Sequence, residues 1–448
     1  MGDRGTGRGR GKEQATRPKQ PRGRAAAKSK DDPARGKTEA TGRPRRPSSP
    51  KKEPQRTAVQ KKEPGEPKAA IANTITRKKK DKEPPLPDHR NLKPVVESLK
   101  LKMKEISPAA DKVNTIVRII ISEVSQRDPI FQGMEKMSTG SYYEKLKISR
   151  PNEFDIMLNI PISDYGRIAL KEFGTSGAFY TLSCKRDMPE FMEDFIDKDE
   201  NISAKKILTR FRKLVSEVVS GMPVSIKRRN SSSPALTLII ENKPSNIDVD
   251  LVIALEIRQS WPVKTIDGMN IDCWLGKKVK RDFKFQPFYM VPKQFKDGNT
   301  VKDTWRISFS HIEKEILTNH GSSKTCCEGD GEKCCRKICL KLLKHLLELL
   351  KNNGKQRKKL EKFCSYHAKT ALLHQCVEHP KDEEWRWEDL DLCFIRYIHY
   401  FQSSLKHEYL PNFFIPSHNL FSLDDVDCKL LYDQIDEQIK HGFPLFDL

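Results

Sequence analysis

From residue 92 onward the apolar positions recur with a definite period. Between Val95 and Val124, the residues Val95, Leu99, Leu101, Met103, Ile106, Val113, Ile116, Val117, Ile120 and Ile121 fall mostly three or four apart, with Lys and Glu in the gaps. That spacing predicts a long amphipathic helix. Ser107-Pro108 allows a kink or a restart near its middle, because proline removes a backbone donor. The period then changes. In Glu153-Phe154-Asp155-Ile156-Met157-Leu158, and again in Ile247-Asp248-Val249-Asp250-Leu251, polar and apolar residues alternate, as on a strand with one buried face. Helical spacing returns in residues 339–350, where the leucines form one stripe.

Before residue 92 neither period is present, and composition explains why. Residues 1–90 carry 27 basic and 11 acidic side chains, 12 of the 28 prolines, and no Phe, Trp or Tyr. With almost nothing to bury, such a segment cannot offset the entropy of ordering its backbone, and it is expected to be disordered. Of the +22 formal charge, +16 lies here. Runs such as Arg43-Pro44-Arg45-Arg46 and Arg77-Lys78-Lys79-Lys80 suit a non-specific nucleic-acid arm, or a nuclear-import signal.

Other classes fall away. No apolar run approaches the ~18–20 residues of a membrane-spanning helix, and the first residues show no apolar core of a secretory signal. Eleven cysteines is an odd count, and five crowd into residues 326–339. That argues for reduced thiols, some around a metal, in a cytosolic or nuclear protein.

Candidate chemistry begins at Thr139-Gly140-Ser141. Gly140 lets the backbone approach a triphosphate closely, and Ser141 offers a hydroxyl to it. A dozen residues later Glu153 and Asp155 share one face of their strand. Two carboxylates so placed repel unless a cation lies between them, which suits Mg²⁺. A third acid is expected on a neighbouring strand. Asp250, which directly enters an apolar run, is the first choice, with Asp248 behind it. A small-residue turn, paired acids and then a lone acid form a pattern similar to the nucleotidyltransferase signature.

A second constellation is His320, Cys326, Cys327, Cys334, Cys335 and Cys339. Zinc takes four such ligands in a tetrahedron, and the intervening Gly- and charge-rich turn has no packing value of its own. Five thiols exceed the three needed beside His320, so composition does not choose among them. Four protein ligands would make the site structural.

Together with Thr304–Glu315, Ser365-Tyr366-His367 and the closing Phe443–Asp447, these residues resemble the cyclic GMP–AMP synthases over essentially all of 93–448. The related 2′-5′ oligoadenylate synthases share the acids but lack the cysteine insertion. The resemblance implies an α+β, bilobal nucleotidyltransferase fold. A basic DNA-binding tail would span 1–92, and a catalytic lobe with a mixed sheet and spine helix 93–262. A helical lobe would span 263–448, with its zinc loop at 320–335. The implied activity is DNA-activated synthesis of a cyclic dinucleotide from ATP and GTP, with one 2′-5′ and one 3′-5′ linkage, for innate immune signalling.

By the same resemblance, Glu153, Asp155 and Asp250 hold Mg²⁺ or Mn²⁺, and Thr139 and Ser141 meet phosphate. Arg306, Ser308 and Ser310 read the guanine side, Glu313, Lys344 and Ser365 serve the other nucleotide, and Tyr366 stacks on a base. Zinc falls to His320, Cys326, Cys327 and Cys334, with Cys335 the spare. DNA falls to Lys102, Lys104, Lys314, Lys324, Lys337 and Lys341, with two copies of the enzyme clamping two duplexes. Lys185-Arg186 leaves room for a nucleosome surface. One tension remains: on an ideal helix Lys344 lies near the face of Lys341, yet it is given to nucleotide. The competing expectations are an RNA-sensing oligoadenylate maker and a non-catalytic DNA- or chromatin-binding scaffold.

Overall fold

The structure, a computed structural model, describes residues 91–447 apart from short stretches at 101–102, 149–151, 163–167, 185–188, 229–233, 244, 298–299, 329–332, 353–356 and 423–425. The basic tail, Lys102 and Lys185-Arg186 lie outside the described residues. No described helix is long and apolar enough to cross a membrane.

Where the spacing predicts one helix there are two, α1 (Lys93–Ser98) and α2 (Met103–Arg127). The interruption therefore comes after Ser98, where the Leu99 amide tightens onto the carbonyls of Val95 and Val96. It does not come at Pro108, which sits in the second turn of α2. A proline that near the helix start removes a single backbone bond. The fully buried Val113, Val117, Ile120 and Val124 hold the rest of the helix down.

Then follow β1 (Glu135–Ser138), α3 (Gly140–Tyr143), β2 (Glu153–Pro161), β3 (Ile168–Phe173), β4 (Phe179–Cys184), α4 (Ala204–Val219), β5 (Val224–Ile226), β6 (Ala235–Ile240) and β7 (Ile247–Ile257). After α5 (Lys277–Lys284) come β8 (Phe288–Pro292), the small hairpin β9 (Phe295–Asp297) and β10 (Thr300–Lys302), and β11 (Trp305–Ser308). The remainder is helical: α6 (Ser310–Thr318), α7 (Arg336–Asn352), α8 (Arg357–Leu360), α9 (Ser365–Glu378), α10 (Leu390–Lys406) and α11 (Cys428–Lys440).

The main sheet runs β1-β2-β7-β8-β11-β4-β3, with β6 also on β7 and β5 on β6. The sheet is mixed: β2 and β7 are parallel, and its other pairs are antiparallel. Here the expected division at residue 262 needs correction, because β8 and β11 lie beyond it and yet build the middle of this sheet. All five β8 residues are buried. A run apolar on both faces is satisfied only in a central strand.

Phe154, Ile156, Leu158 and Ile160 of β2 are buried with Val249, Leu251, Ile253 and Leu255 of β7 and with Val117 of α2 and Phe211 of α4. Truncating Phe154 to Ala would cost about 3–5 kcal/mol. The second half is a bundle in which α7, α9 and α10 pack on one another and α11 packs on α10.

Candidate functional site

The parallel register of β2 on β7 sets Glu153 beside Asp248 and Asp155 beside Asp250. Along β2 the acids remain accessible while Phe154 and Ile156 turn inward. Asp155 and Asp250 are therefore near neighbours facing one way. Burial in the cleft, then repulsion from Asp250, holds the Asp155 carboxyl above the usual carboxylate range. On the far side of β7, Thr237 lies opposite Asp250, and its hydroxyl donates to Asp250 Oδ1. Asp248 is paired with Lys227 at 2.9 Å, and Glu153 with Lys147 at 2.9 Å. Both candidate third acids thus lie across from an acid of β2, Asp250 beside Asp155 and the lysine-paired Asp248 beside Glu153. An all-oxygen donor set whose members repel one another fits a hard divalent cation.

Gly140 opens α3 at φ +84°, and a Cβ there would lie 2.8 Å from the Asp155 Cβ. Only glycine fits this approach. The turn is closed by the Leu146 amide on the Ser141 carbonyl at 2.7 Å and the Glu144 amide on the Gly140 carbonyl at 3.0 Å. Ser141 is thereby set between the acids and the main cavity.

That cavity measures about 660 Å³ and is lined by all nine residues expected at nucleotide, from Thr139 and Ser141 to Ser365 and Tyr366. A recess of about 340 Å³, holding Glu153, Asp155, Asp248 and Asp250, shares Ser141, Lys344 and Ser365 with it. The Tyr366 hydroxyl donates to Glu313 Oε1 at 3.1 Å and receives Asn412 Nδ2 at 3.0 Å. Lys369 bridges Glu313 at 3.0 Å and Glu144 at 2.8 Å. This fixes the ring edge of Tyr366, and the Lys369 ammonium lies 6.0 Å from the ring centroid.

Lys344 is buried and donates to the Leu146 carbonyl at 2.8 Å. Burial lowers its pKa to about 8. The tension over this lysine is resolved by the groove it avoids. Lys337 and Lys341 line a groove beside the cysteines, whereas Lys344 lines the cavity.

His320, Cys326, Cys327 and Cys334 bring one ligand atom each to within 4.8 Å of one another. Cys327 Sγ lies 3.8 Å from Cys334 Sγ, 4.0 Å from Cys326 Sγ and 3.5 Å from His320 Nε2. A tetrahedron with ~2.3 Å Zn–S bonds has edges of about 3.8 Å. The donor set fits zinc. His320 Nδ1 is oriented by the Leu317 carbonyl at 2.9 Å, leaving Nε2 to ligate. A hydrogen bond from Cys326, with His320 and Arg336 nearby, holds the Cys334 thiol far below its ordinary range. Gly321 is obligatory, since a Cβ would fall 2.0 Å from the Cys326 Cβ. Asp382 ties the loop to the bundle, accepting from the Ser322 and Ser323 amides at 3.0 and 2.8 Å and pairing with Arg336 at 2.7 Å. Cys335 turns away into the core, toward Cys339 and Cys393.

Comparison with known proteins agrees with this geometry. Residues 142–319 match the Mab-21 protein nucleotidyltransferase domain, and residues 335–437 match the Mab-21 protein HhH/H2TH-like domain. The chain is 47% identical over 361 residues to the cyclic GMP-AMP synthase of Sus scrofa, covering 79% of this chain and 72% of that one. It is 45% identical over 368 residues to the cyclic GMP-AMP synthase of Mus musculus, covering 80% and 70%. The chain belongs to the cyclic GMP–AMP synthase family. More distantly, it is 28% identical over 302 residues to a cyclic GMP-AMP synthase-like receptor of Magallana gigas, covering 64% of this chain and 48% of that one. The chain is a nucleotidyltransferase, and its family suggests use of a divalent metal.

Of the lysines that the family resemblance gives to DNA, Lys324, Lys337 and Lys341 line a groove of about 1400 Å³ beside the cysteine cluster, joined by Lys100, Lys145 and Lys333. Lys314 lies with its ammonium 5.8 Å from the Tyr143 ring centroid. Lys337 is half-buried and reaches the Glu144 carbonyl at 3.3 Å. Lys104 is on α2.

Sequence reasoning missed Lys147, Glu144, Thr237, Lys369 and Asn412. Lys369 carried a usable signal, one helical turn past Ser365 and Tyr366. Asn412 carried none, since it sits in the loop after α10 and only the fold brings it to Tyr366.

Proposed function

We propose that this enzyme is a double-stranded-DNA-activated cyclic GMP–AMP synthase, making a mixed cyclic dinucleotide from ATP and GTP as an innate immune messenger. One observation carries the reading. The register that sets Asp155 beside Asp250 opens, past Ser141, into a cavity walled by both halves of the enzyme. The names of the mammalian relatives support the product.

In this reading Ser141 and the close backbone at Gly140 orient the triphosphate, Lys344 offsets its charge, and Tyr366 presents its face to a base. Arg306, Ser308 and Ser310 hydrogen-bond the guanine side, and Glu313 and Ser365 the other nucleotide. Glu153, Asp155 and Asp250 would hold Mg²⁺, which supplies charge stabilisation at the reacting phosphate and leaving group. In each of two transfers a ribose hydroxyl attacks an α-phosphorus, the bond to pyrophosphate breaks, and the hydroxyl proton passes to solvent. A 2′-5′ and a 3′-5′ linkage close the ring.

Duplex DNA is read through phosphates on the groove of Lys324, Lys337 and Lys341, together with Lys102, Lys104 and Lys314, so shape and length outweigh sequence. A route to the active site follows from α7. This helix starts at the cysteine cluster and holds the segment after the Gly140 turn by Lys337 on Glu144 and Lys344 on Leu146. Activation is a population shift toward the conformer with turn and acids aligned. The active form on DNA is a homodimer, found in both cytoplasm and nucleus, with nucleosomes among its partners.

The test incubates purified protein with ATP, GTP and Mg²⁺, with long duplex DNA, long duplex RNA or neither, and resolves the products. A cyclic mixed dinucleotide seen only with DNA is expected. Linear oligoadenylate or RNA dependence would replace this reading with an RNA sensor. Tight DNA binding without product would replace it with a scaffold.

A further inference from the structure

Lys147 is buried, and its ammonium reaches Glu153 Oε2 at 2.9 Å. A buried ammonium is costly unless paired, so this contact holds both groups where they are. The pairing is lopsided: the Lys147 side chain is 9% exposed and that of Glu153 69%. The lysine is the buried partner and Glu153 the accessible one. Lys147 is also close enough for its charge to act on Asp155. One positive group thus faces two acids two residues apart on one strand, which is where a divalent cation would sit.

The lysine is held in place from behind. Its neighbour Leu146 gives its amide to the Ser141 carbonyl at 2.7 Å and its carbonyl to Lys344 Nζ at 2.8 Å. Lys147 is therefore fastened to the phosphate-facing turn on one side and to α7 on the other. Movement of either carries the ammonium away from, or toward, the acids.

We infer that Lys147 is a built-in counter-cation that occupies the acid pair in the resting enzyme and competes with the divalent metal for Glu153. This deepens the divalent-metal reading above and rests on it. Lys147 is a positioning residue with an inhibitory sign: it keeps the acids folded together and must yield Glu153 before they hold metal. The opposite role, a lysine that only orients Glu153 for the metal, gives the opposite sign on removal.

The test is direct Mn²⁺ binding to the full-length protein without nucleotide, read by the loss of the free-Mn²⁺ electron-spin signal. It compares wild type, Lys147→Met, Lys147→Arg and Asp250→Asn. Removing one positive charge a few ångströms from the site should tighten Mn²⁺ binding about tenfold in Lys147→Met. Lys147→Arg, which keeps the charge, should stay near wild type. Metal-free Lys147→Met should melt lower than wild type and recover with Mn²⁺, a readout that also exposes simple misfolding. Unchanged or weaker binding in a folded Lys147→Met would overturn the counter-cation role. Wild-type binding no different from Asp250→Asn would instead overturn the metal reading beneath it.

Discussion

The two candidate metal sites are built on opposite plans. The cysteine cluster is closed. Its four ligand atoms converge on one point, His320 is oriented from behind, and the loop is pinned through Asp382 to the buried Arg336. The acid site is open. Its carboxylates lie along a recess, press on one another, and are held by a threonine and by two lysines that belong to other segments. A closed set contributes its binding energy to the fold, whereas an open one keeps positions for substrate. The difference separates a staple from a reaction centre using geometry alone.

The strongest way to break this comparison is to swap the expected losses. Cys334→Ser removes a zinc ligand from a loop that has no core of its own. It should release zinc, measured by metal analysis, and lower the melting temperature by 10 °C or more, on the order expected when a structural site is lost. Cys335→Ser, one residue on, should keep full zinc content and cost only about 1–2 kcal/mol, since its thiol belongs to the core.

Gly140→Ala tests the closeness of turn and acid. The new methyl must displace Asp155 at a backbone conformation that alanine tolerates poorly. Product formation should fall about 100-fold with a stability loss of about 1–3 kcal/mol, read by initial rates and urea melts. An active Gly140→Ala would mean the turn does not sit against the acid in the working enzyme.

The smallest effect concerns Lys344, whose pKa burial lowers to about 8. Its charge should favour triphosphate below pH 8 and fade above it, so ATP affinity in wild type should weaken about three- to tenfold between pH 7.5 and 9. Lys344→Met should bind more weakly and lose that slope. For stability the sign is reversed. Between about pH 8 and the ordinary lysine range the unfolded chain holds the extra proton, so this lysine's contribution to folding improves as pH rises.

How much of this was legible in the chain depends on the kind of signal. Alternation around Glu153/Asp155 and Asp248/Asp250 marks two half-buried strands, and the structure has both. The sequence could not say that they pair in parallel with Asp155 against Asp250, because register is a property of two segments. The spine helix was legible, but its interruption was misplaced, since Pro108 is a conspicuous breaker and the turn after Ser98 is not. Strand β8 is apolar and buried along its length, but its composition does not name its partner. His320 and the cysteines were legible as a metal set, whereas composition left Cys334 and Cys335 open; the family resemblance chose Cys334, and the side chains bring Cys334 to the cluster. Thr237 and Lys147 reach the site through pairing and packing, and no local pattern announces them, whereas Lys369 follows Ser365 and Tyr366 by one helical turn.

The central claim is that the acids react and the cysteines hold. The most direct measurement sets Asp250→Asn beside Cys334→Ser and records thermal melting and nucleotide product from the same preparations. Asparagine keeps an acceptor for Thr237 and relieves the repulsion with Asp155. Asp250→Asn should therefore melt at or slightly above wild type, by up to about 1 kcal/mol, while product falls at least 1000-fold. Cys334→Ser should lose both together. An Asp250→Asn protein that unfolds, or one that stays folded and makes product at the wild-type rate, would contradict the account.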